Sequence, residues 1–162
     1  MSTDRIEKKI LLHAPLRRVW QAFANSSEFG ARFGLKFDGP FTPGAEMRAV
    51  LVGTKANAEV AKAHEKYVGL KLEITIVKME PERLFSFRWH PNAIERDVDY
   101  SKEPTTLVEF TLQETAEGVL VTVTESGFEN IPLARRATAF TANTQGWSMM
   151  INMIGDYLAQ RP

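Results

Sequence analysis

Residues 132–160 of the 162-residue chain read PLARRATAFTANTQGWSMMINMIGDYLAQ, and this stretch predicts one long helix around which the other elements are arranged. At ~1.5 Å per residue, a continuous helix here would be over ~40 Å long, enough to cross a small domain. We expect Asn130 to cap this helix and Pro132 to lie in its first turn. The apolar residues recur at offsets of three, four and seven, which places them on one helical face: Phe140, Trp147, Met150, Ile151, Ile154 and Leu158.

The residues before this helix predict a series of β-strands. Apolar and polar residues alternate clearly in four stretches, where every second side chain faces one side of a sheet: 70–79, 84–90, 106–114 and 119–125. Residues 5–12 and 45–52 predict two further strands. Turn signals separate neighbouring stretches, which indicates antiparallel hairpins.

Short helices are predicted near the N-terminus. Leu16, Val19, Trp20 and Phe23 form an apolar helical face, and a second short helix ends at Phe33 with Ser26 or Ser27 as its cap. The segment 53–67 fits either a short helix or a loop. The order of strand, two short helices, antiparallel strands and long helix predicts an α+β fold, with a curved antiparallel sheet wrapped around the C-terminal helix.

The length, charge and hydropathy of the chain argue against several classes of partner. A chain of 162 residues predicts one domain spanning 1–162. Lys+Arg and Asp+Glu are both 20, so a nucleic-acid partner, which favours a basic excess, is not expected. The N-terminus lacks the apolar region of a signal peptide, and no apolar run reaches the ~18 residues of a membrane span. We therefore expect a cytoplasmic protein with no membrane partner.

Several strings, in the right order, resemble the START-like helix-grip (SRPBCC) superfamily, and in particular its branch related to the C-terminal domain of the activator of Hsp90 ATPase. They are Ala14-Pro15 followed by Val19-Trp20, the turn MEPERL at 79–84, and ESGF at 125–128 leading to Gly146-Trp147. The resemblance covers nearly the whole chain, although the segment 53–68 departs from shorter family members. It implies the helix-grip fold.

Three strings also resemble bacterial proteins labelled as vanillate O-demethylase reductase-like: RWHP at 88–91, DYSKEPTTLVEF at 99–110, and 125–136. Such a reductase uses an iron–sulfur cluster, flavin and nicotinamide. This chain has no cysteine to hold a cluster and no G-x-G-x-x-G after a strand. We therefore expect no cofactor.

The helix-grip resemblance implies a small hydrophobic or aromatic ligand between the sheet and the long helix. The same side chains would otherwise form a packed core. Asn143 is the candidate polar group facing the ligand, or it bonds to a nearby strand. The predicted lining is Trp20, Phe23, Phe33, Phe37, Phe85, Phe87, Trp89, Phe110, Asn143, Trp147, Met150 and Ile151.

Two other functions stay open. The resemblance also implies a co-chaperone-like regulator of an Hsp90-type ATPase, or a cyclase or hydrolase acting on a polyketide-like substrate. The sequence shows no G-x-S-x-G, Walker A or H-E-x-x-H motif, so no catalytic residue is assigned. His90, Asp97 and Asp99 lack preorganising spacing, so no metal site is predicted. A homodimer that pairs through the strand 70–79 is also possible.

Overall fold

The computed structural model describes residues 5–54, 58–95 and 97–160. Its helices are α1 (Leu16–Ala24), α2 (Ser26–Phe33), α3 (Ala58–His64) and α4 (Leu133–Gln160), with 3₁₀ turns at Glu65–Tyr67 and Phe128–Asn130. Its strands are β1 (Arg5–Leu12), β2 (Leu35–Phe37), β3 (Glu46–Leu51), β4 (Lys71–Glu80), β5 (Leu84–Trp89), β6 (Thr106–Thr115) and β7 (Gly118–Ser126).

The strands form one seven-stranded sheet in the order β1-β7-β6-β5-β4-β3-β2. Every neighbouring pair is antiparallel. The sheet packs against the long C-terminal helix, so the predicted α+β helix-grip architecture is confirmed. β4 is paired with β3 at residues 71–75 and with β5 on the other side, so it is not an exposed edge strand, and dimer pairing along 70–79 is not supported.

The sequence did not predict β2. This strand has three residues and pairs Phe37 with Ala49 of β3. It starts directly after Gly34, which ends α2 in the left-handed conformation with φ of 73°. A Cβ on Gly34 would lie 2.7 Å from the backbone nitrogen of Thr54, so glycine is required there. A strand this short between turn residues gives too few positions for alternation to show.

The long helix α4 contains 28 residues, and its buried positions confirm the predicted apolar face. Trp147, Ile151, Ile154 and Leu158 are all buried, and each lies about one turn after the one before it. The predicted cap is wrong, because Asn130 belongs to the preceding 3₁₀ turn. Pro132 lies directly before the first helical residue, Leu133, and not within the first turn as predicted; its carbonyl oxygen accepts the first hydrogen bonds of the helix, from the backbone N–H groups of Arg135 and Arg136, both at 3.0 Å.

The cap of α2 also differs from the prediction. The side chain of Asn25 accepts from the backbone nitrogens of Ser27 at 2.9 Å and Glu28 at 3.0 Å. Ser26 and Ser27 lie inside the helix. Asn and Ser are comparable caps, so three adjacent candidates leave the choice to tertiary packing. α3 shows that the helical alternative holds for the part of 53–67 after residue 57, while 55–57 lie outside the described residues.

The core lies between the sheet and the helices. The inward faces follow the predicted alternation: Phe85 and Phe87 on β5, Val108, Phe110 and Leu112 on β6, and Val119, Val121 and Val123 on β7 are all buried. Phe29 of α2 joins them, with ring contacts to Phe85, Phe87 and Phe110 at 5.8–6.1 Å. Across the described ranges, no helix has the length and apolarity of a membrane span.

Candidate ligand-binding site

A buried carboxylate lies between the sheet and α4. Glu125 of β7 is 0% exposed. Its Oε1 accepts from Trp147 Nε1 at 2.8 Å and from Asn143 Nδ2 at 2.9 Å. Its Oε2 accepts from Trp89 Nε1 at 2.8 Å, from Thr106 Oγ1 at 2.5 Å and from the same Asn143 nitrogen at 3.1 Å. We call these five residues the carboxylate cluster.

The donors of the cluster suit a carboxylate anion. Indole N–H and amide NH₂ groups only donate, so both oxygens of Glu125 act as acceptors. An isolated buried charge is costly, and a full set of hydrogen bonds offsets that cost. All of these donors are neutral, and of the residues that the structure describes, no Lys or Arg forms an ion pair with Glu125. The cluster therefore surrounds the carboxyl group of Glu125 with neutral hydrogen-bonding groups and gives it no cationic partner among the described residues.

The positions of the five residues follow from strand register and helical spacing. Trp89 ends β5, and it is paired with Thr106, the first residue of β6. Glu125 is paired with Val108 on the other side of β6. Asn143 and Trp147 are four residues apart, so they lie on one face of α4. The cluster thereby ties three strands to the long helix.

Sequence reasoning missed Glu125 and Thr106, although a signal for both exists. Val119, Val121 and Val123 face the core, and two residues further the same parity places Glu125 inward. Likewise, Val108 and Phe110 extend back to Thr106. A strand-end glutamate is usually exposed, so without the partners from β5 and α4 the parity alone would have been a weak argument.

A small cavity opens beside the cluster. It has a volume of about 100 Å³ and lies between the end of α2, the end of β5 and the middle of α4. We call it the α4 opening; its lining is Phe33, Trp89, Asn143, Gly146, Trp147 and Met150. Five of these six residues were predicted to line a ligand cavity. A Cβ on the sixth, Gly146, would meet no other atom within 4 Å, so the missing side chain contributes to the free space.

A second space, the inner cleft, lies deeper between sheet and helix. Its volume is only about 10 Å³, roughly the minimum for one water. It shares Phe33, Trp147 and Met150 with the α4 opening, and its full lining is Phe23, Arg32, Phe33, Phe110, Val123, Trp147, Met150, Ile151 and Ile154. Side chains therefore fill most of the interior, and the larger space is at the opening.

The predicted lining residues divide into groups. Phe33, Trp89, Asn143, Trp147 and Met150 surround the α4 opening, while Phe23, Phe110 and Ile151 reach only the inner cleft. The remaining four lie outside both spaces: Phe85 and Phe87 are buried core residues, Trp20 packs against the core, and Phe37 borders a separate surface groove. Asn143 bonds to a neighbouring strand through Glu125 and also lines the opening.

A buried arginine borders the inner cleft. Arg32 of α2 is 2% exposed, and its Nη1 donates to the carbonyl oxygen of Ala22 at 2.5 Å. Its guanidinium lies 5.1 Å from the ring centroid of Phe23 and 5.5 Å from that of Tyr157. Burial lowers the pKa of Arg32 to about 10, against the opposing effects of Tyr157 and Glu28. Sequence reasoning missed this residue, because arginine on a short helix is ordinarily solvent-exposed.

A larger groove of about 380 Å³ lies between β4, the end of β5 and the segment after it. Its lining mixes apolar side chains with exposed charged residues such as Lys71, Glu73 and Glu95, whereas the described lining of the α4 opening contains no charged residue. Asp99 also borders it, and hydrogen bonds from Ser101 lower the pKa of Asp99. Nε2 of His90 forms a hydrogen bond with the carbonyl oxygen of Glu103 at 3.1 Å. Among the described residues, no group of three metal-binding side chains comes together.

Comparison with known proteins identifies the family. The model of the Activator of Hsp90 ATPase homolog 1-like protein family matches residues 13–159. The chain belongs to this family. The resemblance to the activator branch of the helix-grip superfamily is thereby confirmed, whereas the narrower resemblance to vanillate demethylase reductase components is not supported.

Solved structures with the same fold include three at low sequence identity. Protein MLL2253 from Mesorhizobium loti has a TM-score of 0.70 at 16% identity, with 98% of each chain covered. The Aha1 dimer from Colwellia psychrerythraea has a TM-score of 0.64 at 16% identity, and the match covers 94% of the 162-residue chain and 93% of the Colwellia chain. DynU16, from the dynemicin biosynthetic locus, has a TM-score of 0.66 at 22% identity, over 96% of this chain.

The match to DynU16 covers 47% of that protein, so this chain spans about half its length. At these identities the three structures share the fold. Among curated proteins, none matches the sequence significantly.

Proposed function

We propose that this protein binds a small apolar or aromatic molecule in the α4 opening. The observation that supports this most directly is the composition of the opening: two indoles, a phenyl ring and a methionine surround about 100 Å³ beside a single polar side chain, Asn143. Apolar walls with few polar groups are typical of small-molecule sites.

The volume limits the size of the molecule. An engineered apolar cavity of ~150 Å³ accepts benzene, and drug-sized ligands occupy pockets of roughly 300–1,000 Å³. The α4 opening therefore suits one ring or a short branched alkyl group, with any longer part of the ligand outside. Met150 lines both the opening and the inner cleft, and methionine changes rotamer easily. A shift of Met150 would join the two spaces and admit a larger group.

The test is a thermal-shift series with one-ring aromatics, branched alkanols and short-chain lipids. A ligand that binds only the folded state raises the melting temperature, by an amount equivalent to ~2.7 kcal/mol at a hundred times its Kd. We expect the one-ring compounds to give the largest increase. If no compound changes the melting temperature of the wild-type protein, the proposal is wrong.

Gly146→Leu is the blocking variant, and Gly155→Ala is its control. A leucine at 146 extends into the opening without a clash at its Cβ, and it removes the helix penalty of glycine. A Cβ at Gly155 would touch Ile10 at 3.7 Å, away from the opening. The ligand-induced shift should disappear in Gly146→Leu and persist in Gly155→Ala. A shift that persists in both would place the bound molecule elsewhere.

Family membership supports a second candidate, regulation of an Hsp90-type ATPase. The family carries the activator's name, and a structurally similar protein is described as an Aha1 dimer. Binding to a bacterial Hsp90 and stimulation of its ATPase, measured with the purified chain, would test this candidate. If Gly146→Leu stimulates the ATPase as well as the wild-type protein does, the regulatory function is independent of ligand binding. If the wild-type protein neither binds nor stimulates the ATPase, the regulatory function is ruled out.

A cyclase or hydrolase has less support from the geometry. None of the six described residues around the α4 opening is an acid, a histidine, a lysine or an arginine. The nearest carboxylate in contact with them, Glu125, already accepts hydrogen bonds at both oxygens. General acid–base chemistry needs a titratable group within reach of the ligand. Binding is therefore the function that the site supports best.

A further inference from the structure

We propose that the ligand of the α4 opening is an organic cation: a protonated amine or quaternary ammonium on a small apolar or aromatic body. This inference rests on the proposed function and adds the charge of the ligand to it. It comes from two features that meet at the opening, the buried charge of the carboxylate cluster and the aromatic walls.

The first feature is the uncompensated charge of Glu125. Its hydrogen bonds come from the neutral donors Trp89, Thr106, Asn143 and Trp147. Such bonds distribute a negative charge, but they do not cancel it. Three of the four donors also line the α4 opening, so one layer of side chains separates the carboxylate from the ligand. The attraction between the carboxylate and a cation in the opening acts through these side chains and not through water, which makes it stronger.

The second feature is the aromatic lining. Trp89 and Trp147 have ring centroids 5.8 Å apart, and Phe33 is also 5.8 Å from Trp147. Aromatic faces carry partial negative charge and attract ammonium groups, with tryptophan the strongest. Because Glu125 binds both indole nitrogens, it holds the edges of the two rings toward itself. Both the carboxylate and the rings thus favour a positive ligand.

The buried arginine carries the opposite charge on the inner-cleft side of Phe33, so the ammonium group of the ligand belongs on the side of Trp89 and Asn143. Arg32 lines the inner cleft but not the α4 opening. Its guanidinium packs against the rings of Phe23, Phe29, Phe33 and Tyr157. Glu28 accepts from Tyr157 at 2.8 Å and from Arg18 at 2.7 Å, so its negative charge acts on both Arg18 and Arg32.

The experiment compares three probes of similar size at pH 7: benzylamine, which is cationic, benzyl alcohol, which is neutral, and benzoate, which is anionic. Titrations of ¹⁵N-labelled wild-type protein follow the indole N–H signals, which report Trp89 and Trp147 separately from Trp20. We expect benzylamine to bind about tenfold more tightly than benzyl alcohol, and benzoate to bind most weakly. Equal binding of all three, or preference for benzoate, overturns the cation inference alone. If none binds, the proposed function fails with it.

The source of the preference is tested with two glutamate variants. Glu125→Gln removes the buried charge, whereas Glu109→Gln removes a charge from a partly exposed position on the neighbouring strand β6. The dissociation constant of benzyl alcohol divided by that of benzylamine should fall toward one in Glu125→Gln. In Glu109→Gln this ratio should stay near ten. An unchanged ratio in a folded Glu125→Gln protein would contradict the role of the carboxylate. If that variant does not fold, the wild-type series still decides the charge preference.

Discussion

Replacing Glu125 with glutamine should destabilise the protein substantially, although the two side chains have nearly the same shape. The glutamine oxygen can replace only one of the two carboxylate oxygens. If it keeps the bonds from Trp147 and Asn143, its NH₂ group faces the Trp89 N–H, which cannot accept a hydrogen bond. Thr106 can rotate its hydroxyl to accept, but the indole is left without a partner.

The magnitude follows from the bonds that are lost. Hydrogen bonds to a charged group contribute about 1.5–3 kcal/mol each, and a buried unsatisfied donor costs about 1–3 kcal/mol. The lost Trp89 bond and the weakened bonds to the remaining donors together predict a decrease of about 2–5 kcal/mol in the free energy of unfolding. That is a large part of the ~5–15 kcal/mol typical of a domain.

Urea denaturation followed by circular dichroism measures this change. The midpoint should fall while the slope of the transition stays close to the wild-type value, because the surface exposed on unfolding is nearly the same. Glu109→Gln is the matched control, and it should change stability by no more than about 0.5 kcal/mol. If Glu125→Gln is as stable as this control, the hydrogen-bonded cluster does not stabilise the fold as argued.

Three further predictions concern stability. Gly146→Ala should raise the melting temperature by about 1–4 °C in a thermal melt, because it removes a helix penalty of about 0.5–1 kcal/mol without a clash; a decrease would mean that the α4 opening is already filled. Asn25→Ala should lower the free energy of unfolding by about 1 kcal/mol in urea, whereas Asn25→Asp should retain the cap; equal losses would refute the capping role. Burial lowers the pKa of His64, and its Nδ1 has no partner among the described residues. The contribution of the neutral imidazole to stability is therefore fully present above pH 6.5, the pKa in the unfolded chain, and is lost as the pH falls through the lower pKa of the folded state. His64→Gln should therefore reduce the loss of stability between pH 7.5 and 5.5, and His13→Gln, an exposed control, should not.

Much of the fold could be predicted from the sequence because its signals are local and repeated. The apolar positions of α4 and the alternation along β4 to β7 each recur several times within one element. Features that depend on very few residues were not predicted correctly. β2 has only three residues, and Asn25 competes with two adjacent serines for the cap of α2. Asn130 failed as a cap because a 3₁₀ turn intervenes, which depends on how the chain leaves β7.

The site was predicted only in part because its central feature is non-local. Glu125 becomes a buried acceptor through partners 18 to 36 residues away along the chain, on two other strands and one helix. Strand parity can place it inward, but its partners depend on the register of β5 against β6 and on the rotation of α4. Similarly, aromatic composition suggested a cavity, whereas its volume depends on how the rings of Phe33 and Trp147 pack.

The proposed binding site requires an accessible apolar space beneath the middle of α4, and a crystal structure determined under xenon pressure would detect that space. Xenon enters apolar cavities of this kind without needing a specific hydrogen bond. We predict a xenon atom among Phe33, Trp147 and Met150 in the wild-type protein and none there in Gly146→Leu. A wild-type crystal with no xenon at that position would show that the space is closed and that the proposed site is wrong.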